Sequence, residues 1–149
     1  MDARSHETNS MNVDFLDTNI IIYMLDERAE AKRSTARSLV EQGLRHGSAV
    51  ISYQVVQETL NAMTRELGAS PSDARAMFRD VLVPLWTISP SPDLYHGGLD
   101  IHDRYGYSLY DALILSAALR HGCQRVLSED LLNGHVIDGM EIVNPFTTS

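Results

Sequence analysis

A chain of 149 residues, 44% hydrophobic and 21% charged, has the length and composition of one globular domain with a substantial core. No apolar run approaches the roughly 18–20 residues that a bilayer span needs, and the single cysteine, Cys123, excludes an internal disulfide and suits a reducing cytoplasm. The net charge of −8 argues against broad, non-specific attachment to nucleic acid or to an anionic membrane, while leaving room for a local basic strip.

Residues 1–10 read as a disordered polar tail without the apolar core of a signal peptide, and one domain is expected over 11–149. A strand is predicted at 13–16. It ends abruptly in Asp17, followed by Thr18 and Asn19 and then a second apolar run at 20–25 that begins a helix, broken near Asp26 and Glu27. The next helix covers 29–46, with Gly47 as its C-cap and Lys32, Arg33, Arg37 and Arg45 on its polar face. A short buried strand follows at 49–51. Residues 53–67 then form a helix with Ser52 as N-cap, Gly68 as its stop and an apolar stripe of Val56, Leu60, Met63 and Leu67. Ser70 caps a further helix with Pro71 in its first position, running to about Leu82.

A third strand is predicted at 85–88, punctuated by Pro90 and Pro92, and a helix at 94–105 that Gly106 ends. The helix over 108–121, closed by Gly122, is apolar on nearly every face, which marks it as buried. A fourth strand at 125–127 leads into Ser128-Glu129-Asp130, a loop or short helix reaches Gly134, and a fifth strand covers 140–143. Strands alternating with helices imply a mostly parallel sheet of about five strands, covered on both faces.

Ligands of such sheets bind beyond the carboxyl ends of the strands. Asp17 and Asp130 each fall at such an end. Glu58 lies in the helix after the second strand and Asp111 in the first turn of the buried helix, so four acids from four segments can meet on one rim. Carboxylates within about 4–6 Å of one another repel, and a cluster persists only where protons or cations neutralise it. An oxygen-only set suits Mg²⁺ or Mn²⁺, which can activate water against a phosphodiester. Each acid also has a plainer role open to it. Asp17 could cap the helix that follows, Asp111 could complete a capping box with Ser108, Asp130 could cap a helix after the fourth strand, and Glu58 could lie on a solvated face. Other chemistries lack their signatures: the six histidines show no zinc-ligand spacing, and neither a Gly-rich phosphate loop nor a Gly-x-Ser-x-Gly elbow occurs.

The order of these motifs resembles the PIN domain, in particular the VapC-type toxins of bacterial toxin–antitoxin pairs. It comprises Asp17-Thr18-Asn19 after a strand, Glu58 after the second strand, Asp111 within 108–114, and Ser128-Glu129-Asp130. The closing stretches 128–134 and 142–146 are similar to that family as well, and the resemblance spans about residues 11–146. It implies a three-layer PIN-like fold and an Mg²⁺- or Mn²⁺-dependent endoribonuclease whose acidic positions are Asp17, Glu58, Asp111 and Asp130. Thr18, Asn19 and Ser128 match the small polar positions beside them, Ser128 standing where threonine is more usual. Glu129 leaves open which acid of the pair faces the site, and the motif favours Asp130.

The resemblance further implies a homodimer held inactive by a VapB-like antitoxin. A segment of that partner would lie in an apolar groove near the first helices and reach the acids with a basic side chain, and operator DNA would be bound mainly through the antitoxin. For the phosphates of an RNA substrate, Lys32, Arg33, Arg37 and Arg104 are expected to form a basic rim. Two rivals remain. A receiver-type phosphoacceptor or an aspartate-nucleophile phosphatase needs a lysine late in the chain, whereas the only lysine, Lys32, comes early. A PIN-like protein that keeps its acids for structure would bind a partner without cleaving RNA.

Overall fold

Phe15 and Leu16 are neighbours on one strand and so point to opposite faces of its sheet, yet both are buried; the same holds for Val50 and Ile51 and for Val126 and Leu127. A sheet with successive residues buried is covered on both sides. In the computed structural model, which describes residues 12–147, its strands are β1 (Asp14–Leu16), β2 (Ala49–Ser52), β3 (Trp86–Ile88), β4 (Arg125–Leu127), β5 (Val136–Ile137) and β6 (Met140–Val143). The tail expected over 1–10 lies outside the described residues. The strands form one sheet in the order β3-β2-β1-β4-β6-β5, parallel throughout except where β5 meets β6. The mostly parallel sheet read from the sequence is therefore present, with six strands rather than five.

The helices are α1 (Thr18–Tyr23), α2 (Glu30–His46), α3 (Tyr53–Arg65), α4 (Pro71–Met77), α5 (Val83–Leu85), α6 (Pro92–Tyr105) and α7 (Leu109–Arg120). The chain builds outward from β1 to β2 and β3, then returns through α6 and α7 to place β4 on the other side of β1. That reversal opens a crevice at the carboxyl ends of β1 and β4. α7 is buried without interruption from Ala112 to Ala118, as the mostly apolar run there requires. α6 crosses it closely because Gly97 and Gly98 lack side chains: a Cβ on Gly98 would meet Leu113 Cδ2 at 2.5 Å, and one on Gly97 would meet Ser116 Oγ at 2.5 Å. Among the described residues no helix is long and apolar enough to cross a membrane.

Three local expectations change. The helix predicted to stop near Leu82 continues through a π turn, Phe78–Leu82, into α5. Pro84 has no N–H to give the carbonyl four residues back and its ring would strike that carbonyl, so the turn widens instead of ending. Ser52 stands at the N-cap of α3 with extended backbone but caps nothing, and its buried hydroxyl has no partner. The missed strand, β5, reaches β6 through Asp138 and Gly139, both at positive φ (47° and 86°), the backbone of a tight primed hairpin turn. Asp-Gly was the available signal, but a two-residue strand is too short to show alternation.

Candidate active site

The parallel ladder between β1 and β4 continues one step past the strands, with Asp17 N–H donating to the Leu127 carbonyl at 3.0 Å. This sets Asp17 beside Ser128. The Ser128 hydroxyl donates to Asp17 Oδ2 at 2.7 Å and accepts from the N–H groups of Asp130 (3.1 Å) and Leu131 (3.3 Å). One side chain thus shapes the turn after β4 and holds the acid after β1. Asp17 also accepts from Thr18 N–H at 2.7 Å, so it caps α1 and stands at the strand-end site together. It is 7% exposed and Ser128 is wholly buried.

Thr18 and Asn19 carry the neighbouring acids. Thr18 Oγ1 donates to Glu58 Oε1 at 2.5 Å, which turns this exposed carboxylate inward from α3. Glu58 Oε2 accepts from Gln54 Nε2 at 3.1 Å, and the same nitrogen lies 3.2 Å from the Tyr110 carbonyl at the head of α7. Gln54 was missed in the sequence; its only signal is its place one helical turn before Glu58, on the same face. Asn19 Nδ2 donates to Asp130 Oδ2 at 3.1 Å, and Asn19 Oδ1 accepts from Glu129 N–H at 3.2 Å. Among the described residues no helix follows Asp130, so it caps none. Asp111 is half-buried in the first turn of α7, its N–H capped by Ser108 Oγ at 3.2 Å.

Charge links the four acids. Burial pushes the Asp17 carboxyl from 3.8 up to about 6. The Ser128 and Thr18 hydrogen bonds oppose that shift, and the negative charges of Glu58 and Asp111 add to it. Burial also raises Asp111, against its Ser108 hydrogen bond and with help from Asp130 and Glu58. Among the described residues no lysine or arginine ion-pairs with any of the four. The PIN-domain family model matches residues 15–131, the span from β1 through this turn.

The chain belongs to the PIN-domain family.

This PIN domain is 28% identical over 117 residues to ribonuclease VapC23 of Mycobacterium tuberculosis, in both strain CDC 1551 / Oshkosh and strain ATCC 25618 / H37Rv; the match covers 78% of this chain and 91% of the relative. Its fold is similar to a chain of a toxin–antitoxin complex from Klebsiella pneumoniae, with a TM-score of 0.67 and 20% identity over 91% of this chain and 99% of that one. It is also similar to Mycobacterium tuberculosis VapC20, described as a sarcin–ricin loop cleaving toxin, with a TM-score of 0.58 and 21% identity over 78% of this chain and 89% of that one.

The donor set of this PIN domain fits a hard divalent cation in chemistry: oxygen ligands only, from four segments, with excess negative charge that no lysine or arginine among the described residues pairs with. Among the described residues no three of the acidic side chains point at one ligating centre as they stand. Three of the four are instead turned onto polar neighbours: Asp17 onto Ser128, Glu58 onto Thr18 and Gln54, Asp130 onto Asn19.

The four cations of the expected basic rim do not gather in one place: Lys32 and Arg104 are engaged elsewhere, and Arg33 and Arg37 stand together. Lys32 ion-pairs with Glu129 rather than standing free over the pocket. Arg33 and Arg37, one helical turn apart, line a shallow cleft with Glu30 and Glu41 on another face of α2. Arg104 lines a small cleft with Asp100, Arg120 and Asp138. Asp138 lies in the turn before β6, which the parallel topology puts at the opposite end of the strands from Asp17. Sequence could place these cations on helices but not decide which way each long side chain would find a counter-charge.

Proposed function

We propose that this PIN domain is an endoribonuclease toxin of the VapC kind, with Asp17, Glu58, Asp111 and Asp130 holding Mg²⁺ or Mn²⁺. Asp17 carries the proposal: a buried carboxyl pushed up to about 6, pressed by two further acids and, among the described residues, ion-paired with no lysine or arginine. A match to a ribonuclease, 28% identical over 78% of the chain, supports the reaction class. The bound ion would let an anionic RNA approach this anionic pocket and would make a water competent to attack at neutral pH. Ser128, Thr18 and Asn19 hold the carboxylates on the rim, and Gln54 ties Glu58 to the head of α7.

RNA phosphates would be met by Arg33 and Arg37. The partner would be a VapB-like antitoxin, its segment in the groove lined by Leu25, Met63, Leu67 and Met77, where Glu27, Asp73 and Asp80 would draw basic side chains. A homodimer in the cytoplasm, reaching operator DNA only through the antitoxin, completes the proposal.

The test is RNA cleavage by the full chain with Mn²⁺, with Mn²⁺ plus chelator, and by Asp17→Asn and Asp111→Asn. Cleavage that stops with chelator and in both variants is expected; cleavage indifferent to chelator overturns the proposal. The polar bonds that Asp17, Glu58 and Asp130 already make favour a second reading, a binding protein whose acids serve structure. Tight RNA or partner binding without cleavage of any RNA offered would select it. Replacing Arg33 and Arg37 together should reduce the salt slope of RNA binding by about 1.4, on a scale of roughly 0.7 per neutralised phosphate of a single strand.

A further inference from the structure

Glu129 stands next to Asp130, but its carboxylate is taken up elsewhere. Tyr23 Oη donates to Glu129 Oε1 at 2.6 Å, and Lys32 Nζ ion-pairs with Oε2. The Lys32 ammonium also lies 4.8 Å from the centroid of the Tyr23 ring and 5.8 Å from that of Phe146, and those two rings meet edge to face at 5.1 Å. Residues of α1, α2 and the stretch after β6 thus close on one side chain of the β4 turn. The main chain of the same residue is fixed too: Glu129 N–H donates to Asn19 Oδ1, while Asn19 Nδ2 donates to Asp130 Oδ2. Glu129 is held at both ends, and Asp130 follows it directly in the chain.

We infer that Lys32 is a positioning residue. With Tyr23 it clamps Glu129 away from the pocket, and so it fixes the direction of Asp130 and keeps a fifth carboxylate from joining the other four. The inference rests on the proposal that Asp130 helps to hold a divalent ion. A free Glu129 would add charge to a cluster already short of cations, and its turn would lose a charged hydrogen-bonded anchor.

Lys32→Met keeps the apolar stem against Tyr23 and Phe146 and removes the ammonium; Lys32→Arg keeps the charge. In the metal-free protein, the Glu129 and Asp130 amide protons should exchange roughly tenfold faster in Lys32→Met and near the wild-type rate in Lys32→Arg. Titration with Mn²⁺ alone should show affinity weakened roughly tenfold in Lys32→Met, the scale of an outer-shell loss. The double variant Lys32→Met/Glu129→Gln should be no weaker than Lys32→Met, since both changes break one link. Unchanged exchange together with unchanged Mn²⁺ affinity overturns the clamp. So does a drop of about 0.7 in the salt slope of RNA binding in Lys32→Met, which would make Lys32 a phosphate contact. A wild-type chain that fails to bind Mn²⁺ overturns the metal-site proposal instead, and amide exchange still decides the clamp.

Discussion

Asp14 and Asp17 lie at opposite ends of the same strand. Asp14, at the entry to β1, is in register with Arg125 at the entry to β4, and Arg125 Nε and Nη2 donate to its two carboxylate oxygens at 2.9 and 2.6 Å. Asp17, at the exit, faces Ser128 at the exit of β4 and has a hydroxyl and one N–H for company. The first aspartate is neutralised by the chain itself and staples two strands. The second is buried and, among the described residues, has no ion-pair partner, and Glu58 and Asp111 bear on it as well. A carboxylate that only held strands together would be better served by the first arrangement. Retaining the second at the crevice of the sheet costs stability, which is the pattern of a site kept for a ligand.

The sharpest way to break this comparison is to neutralise each aspartate in turn. Asp17→Asn should abolish RNA cleavage by more than about 100-fold, exceeding the roughly 10–100-fold typical of losing a mere supporting group. The same change should make the metal-free protein more stable at neutral pH. With its folded value near 6 against 3.8 unfolded, Asp17 binds its proton more tightly in the folded chain, so stability is lost as pH rises through that window. The full loss is about 3 kcal/mol. Urea unfolding in chelator between pH 4 and pH 7 should show this decline in wild type and a flatter curve in Asp17→Asn. An equal decline in both would place the strained charge elsewhere.

Ser128→Ala sharpens the contrast from the other strand. It removes the donor to Asp17 and the acceptor of two backbone N–H groups, and should destabilise the fold by about 2 kcal/mol in chemical denaturation. The smallest effect belongs to the neutralised pair. Arg125 and Asp14 side chains are 47% and 23% exposed, so Arg125→Ala should cost about 1 kcal/mol, less at high salt, and leave RNA cleavage at the wild-type rate. A marked loss of cleavage in Arg125→Ala would show that the two ends of β1 are not independent.

Much of this architecture follows from near-neighbour chemistry. Gly47 and Gly106 take positive φ at the helix ends where they were expected, and Ser70 and Ser108 cap the helices they precede. Asp17 lies one residue beyond an apolar strand, which is enough to put it on the carboxyl rim of a parallel sheet. Such features depend on residues a few positions apart, and periodicity and capping are read over those distances. Gln54, by contrast, offered no more than helical spacing from Glu58, and its second bond goes to the Tyr110 carbonyl 56 residues away.

Residue order alone thus established an α/β chain with acids at strand ends and hydroxyl and amide side chains beside them. Folding decided which of Glu129 and Asp130 turns toward the others, and it drew Lys32 to Glu129 across 97 residues of chain. It also parted Arg104 from the rim, since the turn carrying Asp138 lies at the far end of the strands. The physical reason is reach. A strand end is set by its own backbone, but a long charged side chain goes to whichever counter-charge the packed elements bring near, and that choice exists only once the sheet order is complete.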